Sequence, residues 1–194
     1  MQKLKERPAT YEDLLKVPEH LVAEIVEGEL YTWPRPRRRH ERAAGALYRR
    51  IGDAYDDGNG GPGGWWIAGE PELHLGTEIV VPDVAGWRRE RIAAHEDFAA
   101  YDIAPDWICE VISPSTGRHD RVRKLPLYAR EGVPHAWLVD PALQTLEVYR
   151  REGTSWHLAA AFGGEDLVRA EPFEELEFRL ADLWLAEPPS ANPA

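Results

Sequence analysis

The sequence predicts an α/β fold built on a mixed β-sheet flanked by helices. Three observations point to it. Hydrophobic periodicity runs helix, strands, helix, strands, helix, strands along the chain. The stretches 79–87 and 107–112 are near-continuous runs of β-formers, the pattern of strands buried on both faces. From His135 onward the segments read as a closing meander, which implies antiparallel pairing at one edge.

Thr10-Tyr-Glu-Asp13 reads as a capping box, with Asp in the usual Glu or Gln place, and predicts a short helix to about Lys16 ended by Pro18. Residues 23–33 read as two strand segments hinged at Glu27-Gly28, and Pro34 and Pro36 break that ribbon. Over 38–55 the apolar positions Ala43, Ala46, Leu47, Ile51 and Ala54 fall on one helical face. The glycine-rich run 58–64 is a turn, since it has no Lys-Ser or Lys-Thr and opens no helix as a phosphate loop does. Residues 65–68 and 72–75 are candidate strands, and 88–100 is polar, a loop with a helical turn. After Ser113-Pro114, Thr116 or Asp120 caps a helix to about Glu131, with Pro126 kinking it or delaying its start and Gly132 as its stop. Residues 135–139 form a buried strand, 144–150 and 155–162 a solvent-facing hairpin, and 176–185 a last short strand or helix. The expected organisation is a flexible N-terminus over 1–9, one domain over 10–186 and a disordered tail over 187–194, rich in Pro, Ser, Ala and Asn.

A hydrophobic fraction of 43% over 194 residues supports one sizeable core. The net charge of -11 argues against a general nucleic-acid coating protein, although a local basic groove stays compatible with it. One cysteine, Cys109, excludes an intramolecular disulfide and fits a reducing compartment. No apolar run has the length of a membrane helix or a signal peptide core, so the expectation is a cytoplasmic protein with no membrane partner.

Each apolar run carries one carboxylate, Asp83 in the first and Glu110 in the second. A charge inside such a strand is costly unless it is paired or binds a metal. Two hard carboxylates suit Mg²⁺ or Mn²⁺, which keep several waters and bind phosphate oxygens. By the two-residue period Glu110 points with Ile108 and Ile112, and Cys109 faces the opposite way as a core residue. Lys124 lies on the helix after the Glu110 strand and is the candidate ammonium, its alternative being a solvated helix lysine. His40 opens the second helix among Arg35, Arg37, Arg38, Arg39 and Arg42, where it contacts phosphate or packs the helix start. Arg118, Arg121 and Arg123 make a second basic cluster with Lys124, and either cluster is a solvated face or one side of a nucleic-acid groove. Trp65, Trp66, Trp107 and Trp137 sit in apolar strands and read as core.

Pro82-Asp83, Glu110-Val-Ile-Ser-Pro-Ser-Thr116, Asp120-Arg-Val-Arg-Lys124, Tyr128, Gly132-Val133, Trp137 and Val139-Asp-Pro141 follow one another in the order of a known family. With Glu24-Ile-Val-Glu-Gly-Glu-Leu30 at its start, the chain from about Thr10 to Leu185 resembles the Uma-two restriction endonuclease family, assigned to the PD-(D/E)XK nuclease superfamily. That resemblance implies a restriction-endonuclease-like sheet, with Asp83 and Glu110 as metal-binding carboxylates and Glu24 as a further acidic residue of the site. It also implies Mg²⁺ or Mn²⁺ as cofactor and DNA as substrate. The superfamily's lysine, two residues after the glutamate, is replaced here by Ile112, and the family pattern supplies Lys124 from the next helix instead. Catalytic residues are thus expected at Asp83, Glu110, Lys124 and Glu24, with nucleic-acid contacts at His40, Arg38, Arg39 and Arg121. Glu24 alternatively pairs with an arginine at the sheet rim. A homodimer is compatible with cutting both strands. The competing readings are a decayed nuclease fold acting in nucleic-acid binding or assembly, and a metal-dependent hydrolase of another phosphate ester.

Overall fold

A computed structural model describes residues 7–92 and 100–185. The expected disordered tail, residues 1–6 of the expected flexible N-terminus, and most of the polar stretch after Arg88 lie outside the described residues.

Helix α1 (Tyr11–Leu14) starts from the capping box: the Thr10 N–H donates to Asp13 Oδ2 at 3.1 Å and the Thr10 hydroxyl to the same oxygen at 3.0 Å. Strands β1 (Leu21–Val26) and β2 (Glu29–Pro34) form the hairpin, and Glu27 and Gly28 adopt φ of 53° and 72°. Positive φ at both central residues suits the turn to the twist of the strands. Helix α2 (Arg38–Ile51) continues in a π turn over Gly52–Asp56 and buries Ala43, Ala46, Leu47, Ile51 and Ala54, the predicted face.

The remaining strands are β3 (Trp65–Gly69), β4 (Leu73–Leu75), β5 (Glu78–Val80), β6 (Val84–Arg88), β7 (Trp107–Val111), β8 (His135–Asp140), β9 (Thr145–Glu152), β10 (Ser155–Gly163), β11 (Leu167–Val168) and β12 (Phe178–Arg179). Between β7 and β8 the chain runs through α3 (Gly117–His119), a π turn (Asp120–Lys124) and α4 (Leu125–Arg130). Pro126 falls in the first turn of α4, directly after the π turn.

The large sheet has six strands in the order β10-β9-β8-β7-β6-β3. Its β7–β8 pair is parallel, joined by the helical crossover, and the other pairs are antiparallel. A second, four-stranded sheet has the order β2-β1-β5-β4. The sequence reads 79–87 as a run of β-formers with a strand edge or bend at Pro82, and the structure breaks the run there. Pro82 and Asp83 break the run, β5 belongs to the small sheet and β6 to the large one. Proline removes a ladder donor at that point, and the chain uses the gap to change sheets.

Two apolar clusters cover the faces of the large sheet. One packs α2 and the C-terminal segment against Trp107, Cys109, Val111 and Trp137. The other packs α4 and the small sheet against Ile108, Ile112 and Leu138. Alternation along β7 thus sorts its residues as the two-residue period predicts, with Cys109 on the face away from Glu110. Trp65, Trp107 and Trp137 are buried and meet Phe173 at centroid distances of 4.9, 4.9 and 5.7 Å. Trp66 is only partly buried, and the Arg89 guanidinium covers its ring at 4.1 Å.

Gly86 on β6 lies beneath this aromatic cluster. A Cβ there would come within 2.9 Å of Ile67 Cδ1 and 3.2 Å of Trp65 Cε3. Gly86→Ala is therefore expected to destabilise the fold by about 1–3 kcal/mol through overpacking, read as a lower urea midpoint at unchanged slope. A loss below ~0.5 kcal/mol, the range of surface substitutions, would show that this core repacks freely.

Candidate active site

The junction between the two sheets assembles the acidic centre. Asp83 stands at the sheet switch, Glu24 projects from β1 of the small sheet, Glu110 from β7 of the large sheet, and Asp120 and Lys124 from the π turn beyond it. The side chains of Glu24, Glu110, Asp120 and Lys124 are all buried, Lys124 with 3% exposure.

Lys124 ties the elements together. Its Nζ lies 2.7 Å from Glu24 Oε1 and 2.8 Å from Glu110 Oε1, and it donates to the Val81 carbonyl at 3.1 Å. The lysine is a buried ion-pair partner rather than a solvated helix residue. Gly117 and Ile112 explain how the helix comes close enough. A Cβ at Gly117 would meet Ile112 Cγ2 at 2.9 Å, so only glycine lets the helix start against the end of β7. Ile112, at the superfamily's lysine position, is buried in this contact. The π turn then widens the helix by one residue per turn, a feature frequent at functional sites.

Each carboxylate has its own support. Asp83 Oδ2 accepts from the Val111 N–H at 2.7 Å, which fixes it one residue from Glu110, and Asp83 Oδ1 lies 3.2 Å from His40 Nε2. Glu110 Oε1 accepts from the Tyr128 hydroxyl at 2.7 Å as well as from Lys124, so Oε2 is the oxygen taken up by neither. Glu24 Oε1 also accepts from the Val81 N–H at 2.9 Å. His119 Nε2 stands 3.5 Å from Glu24 Oε2 without making a hydrogen bond. Glu24 thus pairs with a lysine and a histidine and not with an arginine.

The electrostatics divide these groups. Burial pushes the Glu24 carboxyl up, but Lys124, His119 and the Val81 N–H outweigh it and bring it down to about 2. Burial pushes Glu110 well above the usual carboxylate range despite Lys124, with Asp120, Asp83 and Glu24 adding repulsion. Asp120 rises to about 6, first through burial and then through Glu24 and Asp83. Burial alone would lower Lys124, yet Glu110 and Glu24 hold it well above its ordinary value. For His40, burial is likewise outweighed by Asp83, Asp120 and Glu70, and the imidazole is raised. The Cys109 thiol is pushed up by burial and stays inert on the far face.

Of the residues predicted from sequence, Asp83, Glu110, Lys124, Glu24 and His40 come together here. The arginines divide differently. Arg38 and Arg39 stand exposed on the first turn of α2, next to His40. Arg121 instead lies 3.8 Å from Glu147 on β9, Arg123 pairs with Glu27, and Arg42 donates to the Asp182 carbonyl at 2.8 Å. The second basic cluster is thus split between one inward ammonium and outward guanidiniums. Asp120, Tyr128 and His119 are members of the centre that the sequence reading passed over. Asp120 and Tyr128 lie four residues on either side of Lys124, which is the spacing of one helical face.

Hard oxygen donors in excess of positive charge suit a divalent cation. Among the described residues no three His, Cys, Asp or Glu side chains stand as a ready ligand set. Mg²⁺ needs only one or two carboxylates and otherwise keeps its water.

The raised Asp120 carboxyl has a pH signature. Folded, it titrates at about 6, against ~4 for an unfolded aspartate. The folded form binds the proton more tightly, so stability falls as pH rises from ~4 to ~6, and the full penalty persists above. In EDTA, Asp120→Asn should gain stability relative to the parent by about 1–3 kcal/mol between pH 4 and pH 7. Urea melts at the two pH values measure this, and a difference independent of pH would place the shift elsewhere.

Among solved structures, the crystal structure of a putative nuclease belonging to DUF820 from Anabaena variabilis ATCC 29413 superposes with a TM-score of 0.73. It is 26% identical, over 91% of this chain and 97% of that one. No curated protein matches. Among the described residues no helix is long and apolar enough to cross a membrane. The family model Uma2, described as "Putative restriction endonuclease", matches residues 8–182. The chain belongs to the Uma2 family.

Proposed function

We infer that the protein is a metal-dependent endonuclease that hydrolyses DNA phosphodiester bonds. One observation carries the reading: Glu24 and Glu110 meet, buried, on the ammonium of Lys124, with Asp120 and Asp83 close enough to add repulsion at Glu110. Family membership and the likeness to a putative nuclease support the same class. Asp83 and Glu110 would hold Mg²⁺ or Mn²⁺, with Asp120 adjacent. Such an ion activates water and offsets the charge that develops on phosphorus oxygens.

The chain's own residues position the substrate and the attacking water. Lys124 is held by Glu24 and Glu110 and donates to three acceptors. To orient a water or a phosphate oxygen it must exchange one of them, and the Val81 carbonyl, at 3.1 Å the longest, is the one to release. Glu24 keeps the lysine protonated and aimed at the centre. The raised imidazole of His40 holds its proton at Nε2 towards Asp83 Oδ1 and steadies that carboxylate. Arg38 and Arg39, on the same helical turn, supply positive charge for the phosphate backbone.

A second reading, a nuclease fold that binds nucleic acid without cutting, is favoured by the complete engagement of Lys124 and by isoleucine at the superfamily's lysine position. Metal binding and cleavage separate the two.

Saturating Mn²⁺ should raise the melting temperature of the parent but not of Asp83→Ala or Glu110→Gln; a ligand at 100 times its Kd contributes about 2.7 kcal/mol. An unchanged melting temperature in the parent would reject the metal site. With Mn²⁺ the parent should cleave plasmid and single-stranded DNA. Lys124→Ala is expected to keep the Mn²⁺ shift and to lose at least ~100-fold in cleavage, the scale of removing one electrostatic group from an active site. Metal binding by the parent without cleavage would favour the second reading.

A further inference from the structure

A cleft of about 330 Å³ opens beside the acidic centre, between α2 and the end of β3. His40 and Asp83 form its inner end, so whatever enters it lies against the proposed metal site. We propose that this cleft seats one unpaired nucleobase adjoining the scissile phosphate, with Tyr48 as its stacking platform. The inference rests on the nuclease reading above and adds to it a substrate class, single-stranded or locally opened DNA.

The shape and chemistry of the cleft argue for this occupant. Tyr48 is the one Phe, Tyr or Trp among its lining residues and is 41% exposed. The ring rests against Gly69, where an added Cβ would lie 3.7 Å from Tyr48 Cδ2, so a backbone surface backs it and holds it at the mouth. Gly45, one helical turn before Arg49 and three residues before Tyr48, keeps the α2 wall low next to the ring. Successive bases stack on such aromatic faces whatever their sequence.

The charge of the walls selects base over backbone. Glu41 and Glu70 line the cleft, and these carboxylates repel a phosphate but accept hydrogen bonds from the edges of an uncharged base. The far wall is also held in place. Glu70 adopts a left-handed φ of 49°, and its N–H donates to the Asp83 carbonyl at 3.0 Å, so this wall and the acidic centre share one backbone frame. The volume lies at the small end of ligand pockets, room for one base and not for a base pair with its two backbones.

The test compares the parent, Tyr48→Phe and Tyr48→Ala with Mn²⁺ on two substrates, a single-stranded dodecamer and the same strand with abasic central nucleotides. Tyr48→Ala should raise KM for the base-bearing strand at least about fivefold, the size of one base–aromatic stack, with kcat little changed. It should leave the abasic strand unaffected, and Tyr48→Phe should behave as the parent. Equal effects on both strands, no effect on either, or preferred cleavage of intact duplex by the parent would overturn the proposal. If the parent cleaves nothing, the nuclease reading fails, and fluorescence anisotropy of the two labelled strands in EDTA decides the cleft by itself. Tighter binding of the base-bearing strand by the parent but not by Tyr48→Ala supports it, and equal binding of both strands rejects it.

Discussion

A protonated lysine sealed from water by two carboxylates is the constraint on which the rest of the structure depends. Lys124 comes from the crossover helix, Glu24 from the small sheet and Glu110 from the large sheet. An isolated buried ammonium is not tolerated, and removing one partner of such a pair commonly costs 3–5 kcal/mol. Every element that delivers a partner must therefore be in place before any of the charges can be buried. The tight start of the helix at Gly117, the bend at Pro82 and the support of Glu110 by Tyr128 all serve that one arrangement.

The position of the lysine also explains a departure from the superfamily pattern. In a strand, the residue two after Glu110 shares its face, and here that residue packs its methyl group against the helix start. A lysine side chain at that point would compete with the helix for the same space. Supplying the ammonium from the helix keeps the charge at the centre while the strand end remains apolar. The cost is that the cation is held by its own carboxylates on more than one side, and the same contacts that aim it also restrain it.

Much of this was legible in the sequence because it depends on local pattern. The two-residue period placed Glu110 and Cys109 on opposite faces, and the helical period gave the buried face of α2. Lys124 was within reach because a long side chain follows directly on the acidic strand. What local pattern does not carry is which sheet a strand joins. Pro82 marks an edge or bend within 79–87, but only tertiary pairing assigns the two halves, β5 and β6, to different sheets. Asp120 is one of two candidate caps in the sequence, with Thr116, because aspartate at a helix start is usually a cap, and a cap pattern carries no sign that the side chain is buried. The arginines of 118–123 were grouped by proximity in sequence, whereas a helix sends neighbouring residues to different sides, so Arg121 and Arg123 find Glu147 and Glu27. Tyr48 carried no signal at all, since one exposed tyrosine on a helix is ordinary until Gly69 is seen behind it.

The switch of the chain between sheets at Val81-Pro82-Asp83 has a consequence for how the centre comes and goes. β1 meets β5 through the single register pair Ile25↔Ile79, so the small sheet is held in part by these crossing segments and by the ions between the layers. Native proteins open in contiguous cooperative units whose free energies differ. If the small sheet is such a unit, its opening takes away Glu24 and loosens Asp83 while β7 and its carboxylate stay in the large sheet. The acidic centre then exists only while two separately hydrogen-bonded layers are docked, and its occupancy in time is the docking equilibrium of the small sheet.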